Sequence, residues 1–494
     1  MIAPKPAFAV WVGGSGAAAE SFERACIPDY ANESDAVGGF MHLVRYREAL
    51  DALMATPPSL PADFSPDLTA ARAVIESALA AGDKWLDPVA ATRLLAAYAI
   101  PAAPALLARD PDEAAAVAAP LLEGGSTVVA KILSPDIVHK SEVGGVRLNL
   151  TSRPAVREAV AQILARAREM MPRARITGVT IHPMILWPKA RELIAGIADD
   201  PTFGPVIVFG RGGTAVEVIN DKALALPPLD LKLAHDLIAR TRVSRILKAY
   251  RDVAAVDETA VALVLVKLAQ LAADFPQVRE VDLNPFLADE NGLVAVDTRV
   301  AVAPLEAARP GPSGHPRFAI RPYPKQWERH LALADGRAIF VRPVRPEDEP
   351  LYGPFLAGVT EQDLRMRFFA PVKEFTHAFI ARLTQIDYAR AMAFMAIEGS
   401  AGKLIGVVRL HANANYDTGE FAILVRSDLK GHGLGWLLMQ LIIEYARTEG
   451  IGTIEGQIFR ENTSMLAMCR ELGFEITADP NDPGICIAKL TLAH

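Results

Sequence analysis

The sequence predicts an α/β protein of two or three domains. Three observations lead there. The chain has 494 residues, too many for one hydrophobic core. Strand-like apolar runs alternate with helical ones from about residue 69 to 303, and a compact α/β pattern returns from about 327 to the end. Between them lies "PLEAARPGPSGHPRFAIRPYPK", 304–325, rich in proline and glycine and almost without periodicity.

Composition narrows the class. Apolar residues make up 51% and charged residues 22%, with a net charge of −7 and no long basic run. That balance argues against nucleic acid as the main partner. Cys26, Cys469 and Cys486 lie far apart, with no CxxC or Cys/His spacing. Neither a disulfide framework nor a zinc site is expected, and a reducing cytoplasm is the expected compartment. No apolar run reaches membrane-spanning length, and the first residues lack the basic and apolar regions of a signal peptide. A membrane is therefore not an expected partner.

In chain order, "PAFAVWV" (6–12) reads as a buried strand, followed by "GGSG" and then by alternating helical and turn signals to residue 50. Residues 1–55 hold one or two α/β units, too few to bury a sheet on both faces. The chain is expected to begin inside a domain whose first half is absent. His42, at helical spacing in "FMHLVRYREAL", reads as packing. Residues 51–67, "DALMATPPSLPADFSPD", read as a linker. Domain two spans 69–303. Its strand candidates are "TVVAKIL", "GVRLNL", "ITGVTIHPMI", "ELIAGIA", "PVIVFG", "EVDLNPFLA" and "LVAVDTRVAV". Amphipathic helices are expected over 154–171 and in two runs within 230–275. A linker follows over 304–334, and the last domain occupies 335–494.

The stretch "VRSDLKGHGLG" (425–435) places three glycines between an apolar strand and a helical run. Glycines there let the backbone turn tightly and aim its N–H groups at one point. The following helix adds its unpaired N-terminal N–H groups and dipole, which together suit a phosphate or diphosphate. Arg426 and Lys430 can add cationic support. A tight turn needing positive φ explains the same glycines equally well.

The surrounding residues resemble the GNAT acyltransferases over about 335–494. "KGHGLG" is similar to their diphosphate loop. "GRAIFVRPVRPEDEPLYGPFLAGVTEQDLRMRFF" resembles their first strand and helices, and "LIGVVRLHANANYDTGEFAILV" their central strands. "GQIFRENTSMLAMCRELGF" resembles their last motif. The resemblance implies an α/β GNAT fold and acetyl-CoA as cofactor. Its diphosphate would lie on Lys430, Gly431, His432, Gly433, Leu434 and Gly435. The thioester carbonyl would meet the backbone of Leu424, Val425 and Arg426, with Asn462 nearby. The family places a glutamate where Glu420 stands, so Glu420 is the expected general base; the bland alternative is a solvated edge carboxylate. Seven residues after Asn462, where many members carry a tyrosine acid, this chain has Cys469. A thiol there can serve the cofactor's sulfur or be inert packing.

In the central region "EVDLNPFLADENGLVAVDTRV" supplies Asp282, Asn284 and Asp297, oxygen ligands of the kind Mg²⁺ takes. Strand ends use Asp and Asn for turns as well. "VVAKILSPDIVHKSEVGGVRLNL" adds Lys131, and "FGPVIVFGRGGTAVEVINDKALALPPLD" adds Gly210, Gly212, Gly213, Glu217 and Asp221. Together, over about 70–303, these resemble the ATP-grasp domain of the NDP-forming acyl-CoA synthetases. The resemblance implies that Lys131, Glu192, Gly212 and Gly213 contact ATP and that Asn284 and Asp297 hold Mg²⁺. His139 would be a phosphate relay or a polar loop residue. Residues 6–50 resemble only the end of the flavodoxin-like ligase domain that carries the family's phosphohistidine. Nothing resembles the CoA-binding module that precedes it.

The fusion is similar to the Pat-type bacterial protein lysine acetyltransferases. In that family the GNAT domain transfers acetyl to a lysine of a partner protein, typically an acyl-CoA synthetase, and the ligase-like part regulates. A homo-oligomer is compatible with that reading. Two alternatives stay open: half of a ligase completed by a separate subunit, and a non-enzymatic acyl-CoA or nucleotide sensor.

Overall fold

The alternation of apolar runs becomes four sheets in the computed structural model, which describes residues 6–12, 16–137, 140, 142–213, 220–333, 335–371, 374–399 and 402–492 apart from 55–63 and 306–317. Residues 1–56 group with 373–385 as one unit, and the rest of the chain forms a second. In the first unit, β1 (Ala9–Val10) pairs in parallel with β2 (Asp29–Tyr30), α1 (Gly16–Arg24) connects them, and α2 (Glu33–Met54) follows. His42 is exposed on α2, so the expectation that it packs is corrected.

The central region begins with α3 (Leu68–Ala81) and α4 (Pro88–Ala97). Each starts at an aspartate whose carboxylate accepts backbone N–H groups: Asp67 from Ala70, and Asp87 from Val89 and Ala90. A four-stranded sheet follows, built from β3 (Leu106–Ala108), β4 (Val128–Leu133), β5 (Val146–Leu150) and β6 (Gly178–Pro183), in the order β3-β6-β4-β5. The helices α5 (Pro111–Ala118) and α6 (Arg153–Met170) pack on it. Val156, Val160 and Ile163 of α6 recur at helical spacing and are fully buried.

The second central sheet contains β7 (Arg191–Asp200), β8 (Gly204–Arg211), β9 (Lys222–Ala225), β10 (Val278–Asp289), β11 (Gly292–Ala295) and β12 (Thr298–Val302). It packs with α7 (Leu231–Ala239) and α8 (Glu258–Asp274) in the largest core. The run "LVAVDTRVAV" is thus two strands. Both pair with β10, Ala295 opposite Phe286 and Thr298 opposite Leu283. The break between them leaves Asp297 beside Asn284, whose N–H donates to the Asp297 carbonyl at 3.2 Å.

The C-terminal sheet has eight strands. They are β13 (Arg329–Ala332), β14 (Ala338–Pro343), β15 (Ala391–Glu398), β16 (Lys403–Ala412), β17 (Thr418–Val425), β18 (Thr453–Phe459), β19 (Glu475–Ala478) and β20 (Ile485–Thr491). Their order is β13-β14-β15-β16-β17-β18-β20-β19. Strand β13 lies inside the stretch read as linker 304–334. It pairs with β14, and Trp327 just before it is buried in this domain's core, so the linker ends earlier than expected. The helices of this domain are α9 (Glu349–Ala357), α10 (Glu361–Phe368), α11 (His377–Thr384), α12 (Leu434–Thr448) and α13 (Thr463–Glu471). Of these, α11 groups with the N-terminal unit.

One pairing in this sheet is parallel, and it is short. Strands β17 and β18 pair only at Thr418–Thr453, Gly419–Ile454 and Glu420–Glu455, whereas β16 follows β17 as far as Val425. Beyond Glu420 the two strands separate. The next residues are Phe421 and Gly456. A Cβ added at Gly456 would lie 2.6 Å from the Phe421 ring, which is buried and packs edge-on against Phe474 at 5.3 Å. Gly456→Ala is expected to displace that ring and lower stability by about 1–3 kcal/mol. Chemical denaturation followed by tryptophan fluorescence measures it. An unchanged midpoint would show that the ring does not hold the junction.

Candidate functional site

The parted strands open a cavity of about 540 Å³ between β17, β18, α10 and the N-terminus of α12. Glu420 lines its apex, at the last paired position of β17. Leu424 and Val425 line the same strand farther along. The β17 edge that faces β18 has no strand partner beyond Glu420, so it can receive a ligand carbonyl.

At the far end Lys430, Gly431, Gly433 and Gly435 line the cavity. Gly431 and Gly433 have φ of +81° and +84°. This left-handed backbone, which L side chains enter at a cost, brings the chain into α12 with its first N–H groups unpaired. The N-cap, Gly433, has no side-chain hydrogen bond to offer those groups. Helix dipole and free amides together form an anion site.

The loop's cations are already occupied. Arg426 forms a fork with Asp428 at 2.9 and 3.0 Å and does not line the cavity. Lys430 bonds Asp363, and His432 lies 3.6 Å from Asp335, outside the lining. Burial opposes charge on Asp363, but hydrogen bonds from Lys430 and Ser427 outweigh it and hold its carboxyl below the usual range. Leu434 is in the core and can offer only its amide.

Asn462 lines the cavity and caps α13, its Oδ1 accepting from Met465 N–H at 3.2 Å. Cys469 does not reach it. Its thiol is fully buried in the core behind Met465 and Met468, and burial pushes it up to about 12. A group so placed contacts no ligand, which corrects the expectation that Cys469 serves the cofactor. The sequence reading missed Asp363, Arg367 and Gln457, which also line the cavity. Their polar spacing on α10 and β18 is not distinctive without the fold.

In the central region the assigned residues converge. Lys131 donates to Asp297 at 3.2 Å, across from β4 to the β11–β12 break. Gly213 N–H donates to Asn284 Oδ1 at 3.0 Å, and the Glu192 carboxylate sits against Gly213, where a Cβ would lie 1.9 Å from it. Gly212 donates to the Glu192 carbonyl. His139 and Glu217 lie outside the described residues. His182 and Lys140, which the sequence reading did not single out, stand near Lys131 and Asp297. Burial, then the Lys131 charge, pushes His182 down to about 3, so it is neutral at physiological pH. Burial also lowers Lys140.

Comparison with known proteins gives these two sites their family. Residues 77–302 match an ATP-grasp domain, and residues 338–475 match an acetyltransferase (GNAT) domain. The β subunit of an ADP-forming acetate–CoA ligase from Pyrococcus furiosus is 37% identical over 230 residues, 47% of this chain and 97% of its own length. An acetyltransferase of Pseudomonas aeruginosa is 32% identical over 163 residues, 33% of this chain and 88% of its own length. The crystal structure of the GNAT domain of S. lividans PAT is 26% identical and covers 35% of this chain and all of its own, with a TM-score of 0.33. The chain therefore belongs, over its central part, to the ATP-grasp family of ADP-forming acyl-CoA ligases and, over its C-terminal part, to the GNAT acetyltransferases. It spans 39% of an ADP-forming acetate–CoA ligase of Archaeoglobus fulgidus, to which it is 36% identical over 276 residues. The GNAT domain implies an acyl-CoA donor, and the ATP-grasp domain implies ATP binding. Among the described residues no helix is long and apolar enough to cross a membrane.

Two outcomes are expected. Gly433→Ala, forced to hold φ of +84°, is expected to weaken coenzyme A binding about tenfold in calorimetry; unchanged affinity would remove the loop from the site. Lys131→Met is expected to weaken ATP binding about tenfold while leaving acetyl-CoA affinity unaltered. Equal ATP affinity would place the nucleotide elsewhere.

Proposed function

We propose that the protein transfers an acetyl group from acetyl-CoA to a lysine side chain of a partner protein, of the acyl-CoA synthetase class, and that its ATP-grasp region regulates the transfer. One observation carries the reading: the parting of β17 and β18 makes a single cleft that runs from the amides of the glycine loop to the Glu420 carboxylate.

The chemistry follows from that cleft. A lysine ammonium has no lone pair, so it must lose a proton before it attacks. Glu420, exposed to the cleft at its apex, takes that proton directly or through water. The neutral amine then adds to the thioester carbonyl, which is held by the free β17 edge near Leu424. The C–N bond forms, the C–S bond breaks, and the second proton of the attacking amine passes through water to the departing thiolate. Cys469 supplies none, because burial keeps it in the core. The two ends of the ligand are held by backbone, so the reaction depends on positioning and on one base.

The regulatory part would bind ATP at Lys131, Gly212 and Gly213. Asn284 and Asp297 each present an oxygen, and among the described residues no group of three or more His, Cys, Asp or Glu side chains could hold a metal. The Asn284 oxygen already accepts from Gly213, and an Asp297 oxygen from Lys131. The pair fits a Mg²⁺ that arrives with nucleotide and takes most of its ligands from phosphate and water.

Glu420→Gln keeps the size of the side chain and removes the base. It is expected to lower kcat at least a hundredfold at neutral pH, with the dissociation constant for acetyl-CoA unchanged. Mass spectrometry of an acyl-CoA synthetase incubated with acetyl-CoA, without ATP, measures the transfer. Absence of acetyl-lysine with the unaltered protein, or full activity in the variant, would overturn the reading.

A further inference from the structure

The charges that line the reaction cleft do not cancel in pairs. Asp363, Arg367, Glu420 and Lys430 all line it. Asp363 and Lys430 are bonded to each other. Arg367 and Glu420 remain. They are close enough to interact electrostatically, yet they form no ion pair.

Arg367 is the unusual member. It projects from α10, which packs on β17, and its guanidinium stacks on the Phe368 ring at 4.9 Å. Among the described residues no acceptor hydrogen-bonds its guanidinium, which lies against that ring. A guanidinium carries five donors in a rigid fork, and here they are open to the cleft rather than committed to a protein acceptor. Its other neighbours do not help. Arg409 on β16 adds a second positive charge, and Tyr352 on α9 is a neutral phenol at physiological pH, its hydroxyl pushed up to about 12 by burial. Burial and then the Arg409 charge make this a strained place for a cation, moving Arg367 down to about 10, still charged at neutral pH.

The cleft therefore offers a planar cation with open donors beside the proposed base. A carboxylate matches that fork bidentately. We infer that Arg367 anchors a carboxylate-binding subsite in the reaction cleft, so that one of the two reactants brings a carboxylate next to the reacting atoms. The inference rests on the reading of this cleft as the site of acyl transfer. The carboxylate has two sources. It can belong to the acceptor, beside the amine, or to the far end of a dicarboxylic acyl chain on the donor.

Calorimetry on the full chain separates the sources without turnover. One arm compares a lysine peptide that carries glutamate beside the lysine with the same peptide carrying glutamine, in the presence of coenzyme A. The other compares succinyl-CoA with acetyl-CoA. In one arm the carboxylate-bearing member is expected to bind about tenfold more tightly, and that arm names the source. Arg367→Gln is expected to abolish the preference, and Arg367→Lys to keep part of it; thermal melting checks that both variants fold. No preference in either arm, or a preference that survives in Arg367→Gln, would overturn the subsite. A preference found without acetyl transfer to any amine would leave the subsite standing and remove the proposed function instead.

Discussion

The end of the parallel pairing at Glu420 and Glu455 is the constraint on which the C-terminal domain depends. A sheet that kept its ladder to Val425 would satisfy every backbone group and leave no cleft. Here the ladder stops after three residue pairs. The Phe421 ring fills the space over Gly456, and the strands then separate on either side of a cavity of about 540 Å³. The same event does three things. It frees an edge of β17, puts a carboxylate at the apex, and aims the strand at the glycine loop.

That geometry also decides what recognises the diphosphate. Arg426, Lys430 and His432 look like its ligands in a list of residues, but each faces an acidic side chain: Asp428, Asp363 and Asp335. The groups left without partners are the main-chain amides entering α12. Backbone donors are fixed by the fold and lose little freedom when a ligand arrives, whereas a paired lysine must first give up its carboxylate. The acidic partners keep the loop's charge balanced and leave recognition to the amides.

Much of the fold was legible because apolar runs and turns mark it. The glycines of 431–435, the strand before them and the helix after them follow directly from the letters. Lys131, Asn284 and Asp297 are ambiguous by themselves and are tied to one site by the family resemblance; in the structure they meet through Lys131–Asp297 at 3.2 Å and the Asn284–Asp297 backbone bond. What was not legible depends on third-dimension facts. Strand β13 follows directly on a proline-rich stretch, and four residues of edge strand have too short a pattern to see. The split of "LVAVDTRVAV" into two strands falls at Asp297, where three polar residues interrupt the apolar run without telling a break from an exposed stretch of one strand. Cys469 occupies a motif position, but helix geometry turns it to the core, while its neighbours Met465 and Met468 face the cleft. Arg367 lies in a run of mixed charges, "DLRMRFF", where nothing in the spacing tells which arginine is exposed to solvent and which to the cavity.

A crystal structure of the protein grown with acetyl-CoA tests the central claim most directly. The expected result is a diphosphate on the amides of residues 431–435, with the thioester carbonyl on the free edge of β17 and the acetyl group pointing toward Glu420. Coenzyme A bound outside the parted strands, or a cleft between β17 and β18 that remains empty at saturating ligand, would contradict the account.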